Sequence, residues 1–111
     1  MTTIAQPASL PEAVHREEAE EAVAASGGIV VSLPDAEIEA AWLALARLEG
    51  IFCEPSSAAG LAALLRNPPR GARVVCVVTG HGLKAPQAVE RISEPPIEVE
   101  ADPESIAEAA A

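Results

Sequence analysis

Apolar positions along the chain follow two patterns, and each pattern predicts one type of element. The runs at 29–33 and 73–78 are nearly continuous and rich in β-branched residues, which is typical of strands buried on both faces of a parallel sheet. The segments around them carry apolar side chains at helical spacing. Strands that alternate with helices predict an α/β fold with parallel strands flanked by helices.

Glycine, proline and short polar residues mark the ends of the predicted helices. Helices are expected over 12–25, 35–49, 55–66 and 85–92, with a last one after Asp102. Gly27 and Gly50 are suited to left-handed helix caps. In the second helix four apolar residues recur at helical spacing and should face the core, namely Ile38, Trp42, Leu45 and Leu48.

Composition narrows the function classes. A chain of 111 residues forms one domain at most, and its net charge of −10 argues against nucleic acid and anionic membrane surfaces as partners. No apolar run is long enough to span a bilayer, and the first residues do not resemble a signal peptide, so a cytoplasmic location is expected. Lys84 is the only lysine.

Cysteine, histidine and acidic residues give little indication of a metal site. Cys53 and Cys76 lie in apolar contexts and are predicted to be buried free thiols. With two distant cysteines and two distant histidines, a zinc site lacks ligands. The acidic run at 17–21 is predicted to be a solvated helix face.

A polar turn follows the run at 73–78 and is the strongest candidate site. Ligands of parallel sheets bind beyond the carboxyl ends of the strands, and here that position holds Thr79, Gly80, His81 and Gly82. Glycine lets the backbone approach a ligand closely. Thr79 is therefore either a binding hydroxyl or a strand-end hydroxyl that caps the turn.

Two motifs carry a resemblance to a known family. The segments GIFCEPSSAAGL at 50–61 and RVVCVVTGHGLK at 73–84 resemble the C-terminal part of threonine synthase, a fold-type-II enzyme that uses pyridoxal 5′-phosphate (PLP). The resemblance implies a single partial domain over 1–111. It also implies a partial three-layer sandwich, with few parallel strands flanked by helices.

The same resemblance implies a set of site residues. Thr79 would hydrogen-bond the pyridine nitrogen of PLP, and Gly80 and Glu54 would border the cofactor. The lysine that binds PLP and the glycine-rich phosphate loop belong, in the family, to a part of the chain before this sequence. Lys84 does not match that lysine and is expected to be a surface residue. No catalytic residue and no metal ligand is therefore assigned.

Two functions follow as expectations. The first is the C-terminal portion of a threonine synthase-like enzyme, whose family converts O-phospho-L-homoserine and water to L-threonine and phosphate. Alone it should be inactive, and its partner should be the missing N-terminal part or a second copy of itself. A gene remnant, half of a split enzyme and a complete small protein all remain open. The second is a non-catalytic binding or interaction module that uses the turn at 79–82.

Overall fold

Helices make up the regular structure of this chain. The computed structural model describes residues 3–9 and 14–110. Its helices are α1 (Arg16–Ser26), α2 (Asp35–Glu49), α3 (Ala59–Arg66), α4 (Pro86–Glu90) and α5 (Pro103–Ala109), and three short 3₁₀ turns lie at Gln6–Ala8, Pro55–Ala58 and Gly82–Lys84. All five predicted helices are therefore found. The predicted start of the first, near residue 12, lies outside the described residues.

The helix ends follow local signals. Gly27 ends α1 with φ 65° and Gly50 ends α2 with φ 67°, both in the left-handed region that glycine enters without steric cost. The Asp102 carboxylate accepts the amides of Glu104 and Ser105 at 3.0 and 3.1 Å, so it caps α5. These three caps confirm the predicted ends of the first two helices and the predicted start of the last one.

A small core forms where α2 packs on the 3₁₀ turn Pro55–Ala58 and on α3. Ile38, Trp42 and Leu45 point into it and are buried, as predicted. Leu48 is 78% exposed, so its predicted core position is wrong. No described element covers that side of the last turn of α2, and helical spacing alone cannot reveal a missing neighbour.

The N-terminal segment is attached to the start of α2. The Asp35 carboxylate accepts the Thr3 hydroxyl and, at 2.8 Å, the Ile4 amide. Ile4 and Ala5 are buried against the core. The Thr3 hydroxyl first, and then the Ile4 amide, lower the pKa of Asp35 below its usual range. Asp35 therefore anchors a second segment in addition to beginning a helix.

The predicted sheet is not formed among the described residues. Neither 29–33 nor 73–78 is a strand, and the only β-type pairing in the described ranges is one isolated bridge. Val30 and Val75 are 83% and 85% exposed. The expected three-layer sandwich is thus absent here, because a strand needs a neighbouring backbone and neither segment has one.

Three further observations concern the size of the chain, the exposure of its thiols and membrane-spanning helices. The radius of gyration is 18.4 Å, whereas about 13 Å is expected for a compact domain of this length. Cys76 is exposed within the unpaired segment, so the prediction of a buried thiol is right for Cys53 and wrong for Cys76. Within the described ranges, no helix has both the length and the apolar character needed to cross a bilayer.

Candidate functional site

The two sequence motifs meet at a short antiparallel crossing. Cys53 and His81 form the isolated bridge, and beside it the Glu54 amide donates to the Gly80 carbonyl at 2.9 Å. The crossing thereby brings together residues that are separated by 22 to 28 positions in the sequence. The crossing unites Glu54, Gly80 and the adjacent Thr79, the three residues predicted to border a cofactor.

Close contact explains both glycines of the turn. A Cβ atom on Gly80 would overlap the carboxylate of Glu54, and one on Gly82 would overlap the ring of Phe52. The Gly82 amide also donates to the Phe52 carbonyl at 3.1 Å. Neither glycine has a positive φ. The turn therefore needs glycine for space, which is what permits two segments to pack backbone against backbone.

Ser57 lies at the centre of the crossing. Its Oγ accepts the Gly80 amide at 2.7 Å and lies 3.0 Å from the Thr79 Oγ1. Ser57 is only 7% exposed. The sequence analysis did not predict this contact. Its one signal is a small hydroxyl residue followed by alanines, in the motif that the resemblance places beside the turn. We call Glu54, Ser57, Thr79 and Gly80 the turn cluster.

Glu54 is a buried carboxylate with a neutral partner. It is 8% exposed, and its Oε1 accepts the Ser56 hydroxyl at 3.0 Å. Among residues 3–9 and 14–110, no cationic side chain lies within ion-pair distance of it. Burying a carboxylate without a cation is unfavourable. The position is therefore held by the crossing around it and not by an ion pair.

Cys53 is structural. Burial, followed by the negative charge of Glu54, raises the pKa of the Cys53 thiol, so the thiolate form needed for nucleophilic chemistry is disfavoured. The Trp42 indole donates to the Cys53 carbonyl at 2.6 Å. That bond ties the crossing to α2.

The side chain of Thr79 is accessible to a ligand, whereas that of His81 makes contacts within the protein. Thr79 is exposed, so the turn cluster has one hydroxyl residue that a ligand can reach from outside. The His81 Nδ1 accepts the Leu83 amide at 3.2 Å, and its ring meets the edge of Phe52 at 5.5 Å between centroids. His81 is therefore a turn cap, in keeping with its predicted role as a turn residue.

Lys84 belongs to a different part of the surface. It is exposed, and it lines a cavity of about 400 Å³ together with Arg91, Gln87 and Thr3. No member of the turn cluster lines this cavity. The position of Lys84 is that of the surface lysine expected from the sequence. In the part of the chain that the structure describes, no group of three or more His, Cys, Asp or Glu could hold a metal ion.

The turn cluster offers a donor that one edge of PLP would need. The Thr79 hydroxyl is accessible and would suit the nitrogen acceptor of the pyridine ring. The described hydrogen bonds of the cluster involve no cationic side chain that could receive a phosphate. The aldehyde and phosphate ends of the cofactor would therefore contact residues other than these four.

Comparison with known proteins identifies the class. The model of the pyridoxal-phosphate-dependent enzyme family matches residues 1–80, and the chain belongs to this family. The predicted cofactor is thereby confirmed at the level of the family.

The similar proteins point to one enzyme within that class. The chain is 43% identical to the threonine synthase of Methanocaldococcus jannaschii over 90% of its length, covering 26% of that protein. It is 42% identical to the threonine synthase of Methanosarcina acetivorans over 96% of its length, covering 28% of that protein. It is 40% identical to the threonine synthase of Mycobacterium bovis over 95% of its length, covering 29% of that protein. These matches confirm the predicted resemblance to threonine synthase.

The matches cover a much larger fraction of this chain than of each relative. Nearly all of this chain is covered, but it spans little more than a quarter of the length of these relatives. Such a segment fits the C-terminal portion that the two motifs predict. The activity of the whole enzyme is therefore a matter for proposal.

Proposed function

We propose that this chain forms one wall of the PLP site of a threonine synthase-like enzyme, as the C-terminal portion of its catalytic domain. The observation that carries the proposal is the turn cluster, in which two motifs distant in sequence meet and leave Thr79 accessible. The overall reaction would be that of the family, from O-phospho-L-homoserine and water to L-threonine and phosphate.

Within this proposal each residue of the cluster has a physical task. PLP supplies an electron sink for the reaction. The Thr79 hydroxyl is the partner of the pyridine nitrogen, and Gly80 leaves room for Glu54 and so keeps Thr79 at the crossing. Glu54 stabilises the turn because its backbone amide donates a hydrogen bond to the Gly80 carbonyl. None of these four residues is assigned a proton transfer to or from the substrate.

The proposal requires a complementary polypeptide portion, whether joined to this chain or separate. The segments 29–33 and 73–78 are rich in β-branched residues, are exposed apart from Leu33, and have no strand partner among the described residues. Backbone groups left without a ladder partner are a template for strand addition. We propose that the N-terminal portion of the enzyme supplies neighbouring strands and so completes an α/β sheet, with self-association of this chain as the competing outcome.

The second expected function, a binding module that uses the turn at 79–82, finds little support as an anion site. A turn that binds an anion needs free amides, but the amides of Gly80, Gly82, Leu83 and Lys84 all donate within the protein. A non-catalytic module that uses the turn at 79–82 would have to recognise its ligand without these four amides.

Reconstitution tests the proposed function. The N-terminal three quarters of the M. jannaschii threonine synthase would be co-expressed with this chain, with the intact relative as positive control. We expect a complex that retains PLP and releases phosphate from O-phospho-L-homoserine, whereas neither portion does so alone. A well-folded complex that neither retains PLP nor releases phosphate would refute the proposal.

A further inference from the structure

The hydrogen bonds of Ser57 define the direction of its contact with Thr79. A serine hydroxyl has one proton to donate and two lone pairs to accept. One lone pair receives the Gly80 amide at 2.7 Å, and the other described partner of the Ser57 Oγ is the Thr79 Oγ1 at 3.0 Å. Because a buried hydroxyl proton is costly to leave unpaired, Ser57 must donate to Thr79.

This direction has a consequence for Thr79. Its oxygen accepts from Ser57, so its own proton is free to point away from the crossing. We propose that Ser57 is a positioning residue that fixes Thr79 as an outward hydrogen-bond donor. The inference rests on the proposed function, in which the Thr79 hydroxyl meets the pyridine nitrogen of PLP. A hydroxyl whose proton points outward pairs best with an unprotonated nitrogen, because that nitrogen can accept the proton.

A purely local role for Ser57 does not account for these contacts. The 3₁₀ turn Pro55–Ala58 has no side-chain cap, and the partners of Ser57 lie 22 and 23 residues away in sequence. Ser56 provides the contrast, because its hydroxyl donates to the neighbouring Glu54 at 3.0 Å. Serine can therefore be replaced by alanine at two adjacent positions, and only the replacement of Ser57 removes a contact to Thr79.

The first experiment uses the 111-residue chain by itself. Three-bond NMR couplings of Thr79 report whether its side chain keeps one rotamer. We expect a single rotamer in the wild type and in Ser56→Ala, and rotamer averaging in Ser57→Ala. A Thr79 side chain that stays fixed in Ser57→Ala would overturn the inference whether or not the chain binds PLP.

The second experiment uses the reconstituted complex loaded with PLP that carries ¹⁵N at the pyridine nitrogen. The ¹⁵N shift reports the hydrogen bond at that atom and is not moved by a general loss of stability. Ser57→Ala should move it in the same direction as Thr79→Val, and Ser56→Ala should not. Ser57→Ala should also weaken PLP binding roughly 2- to 12-fold, the equivalent of one hydrogen bond.

The possible outcomes separate the two proposals. If Thr79→Val moves the pyridine shift and Ser57→Ala does not, the positioning role is wrong and the proposed function stands. If Thr79→Val leaves the shift unchanged, Thr79 does not face the cofactor. The proposed site is then wrong, and the role of Ser57 towards PLP is wrong with it.

Discussion

Replacing Gly80 by alanine tests whether the crossing holds the two motifs together. The added Cβ would overlap the Glu54 side chain, which is buried and cannot simply rotate away without losing its bond from Ser56. If the crossing opens, its two backbone hydrogen bonds, from Glu54 to Gly80 and from Gly82 to Phe52, are lost together with the hydrogen bonds of Ser57. At about 0.5–1.5 kcal/mol for each backbone bond, the expected loss of unfolding free energy is at least about 1–3 kcal/mol.

The measurement is urea unfolding followed by tryptophan fluorescence. Trp42 is the only tryptophan, and its indole bonds the Cys53 carbonyl at the crossing, so its emission reports this site. Gly60→Ala is the matched control. Gly60 lies inside α3 with no atom within 4 Å of an added Cβ. There alanine should stabilise the protein by about 0.5–1 kcal/mol through helix propensity.

A double mutant identifies the cause. If the overlap with the carboxylate is responsible, the cost of Gly80→Ala should fall when Glu54 is also alanine, because the two residues are in contact. Equal costs in the two backgrounds would refute the steric explanation. A stabilising effect of Gly80→Ala similar to that of Gly60→Ala would refute the existence of the crossing itself.

Two further predictions concern titration and thiol reactivity. The pKa of Asp35 is lowered on folding by the Thr3 hydroxyl, so its stabilising contribution is present above the ordinary pKa of about 3.9 and is lost as the pH falls through the folded value. Urea midpoints should therefore be lower for Asp35→Asn than for the wild type at pH 7, and the gap should close between about pH 5 and pH 2; a constant gap would contradict this. A thiol reagent should modify Cys76 at once and Cys53 only on unfolding, and the two single Cys→Ser variants assign each reaction; fast modification of Cys53 would show that its burial is wrong.

Local signals in the sequence predict the helices well. Gly27, Gly50 and Asp102 determine helix ends through their own backbone or side-chain chemistry, and the structure places each as expected. Helical spacing likewise predicts the burial of Ile38 and Trp42. Such features depend on residues within a few positions of one another, which a sequence displays directly.

Features that depend on distant neighbours are predicted less well. The run at 73–78 has the composition of a buried strand, but burial needs adjacent strands that the described residues do not supply. Leu48 and Cys76 are exposed for the same reason. The contact of Ser57 with Thr79 joins two elements, so spacing within either one gives no sign of it.

The exposed run at 74–78 has a consequence for how the chain reaches its functional state. It is five residues long, β-branched apart from one cysteine, and contains neither charge nor proline, which is the composition of segments that stack into fibrils. The backbone groups that would accept a correct neighbouring strand would equally accept the same segment of another molecule. Under the proposed function, pairing with a neighbouring strand of the enzyme and self-association through this segment would therefore compete for the same edge.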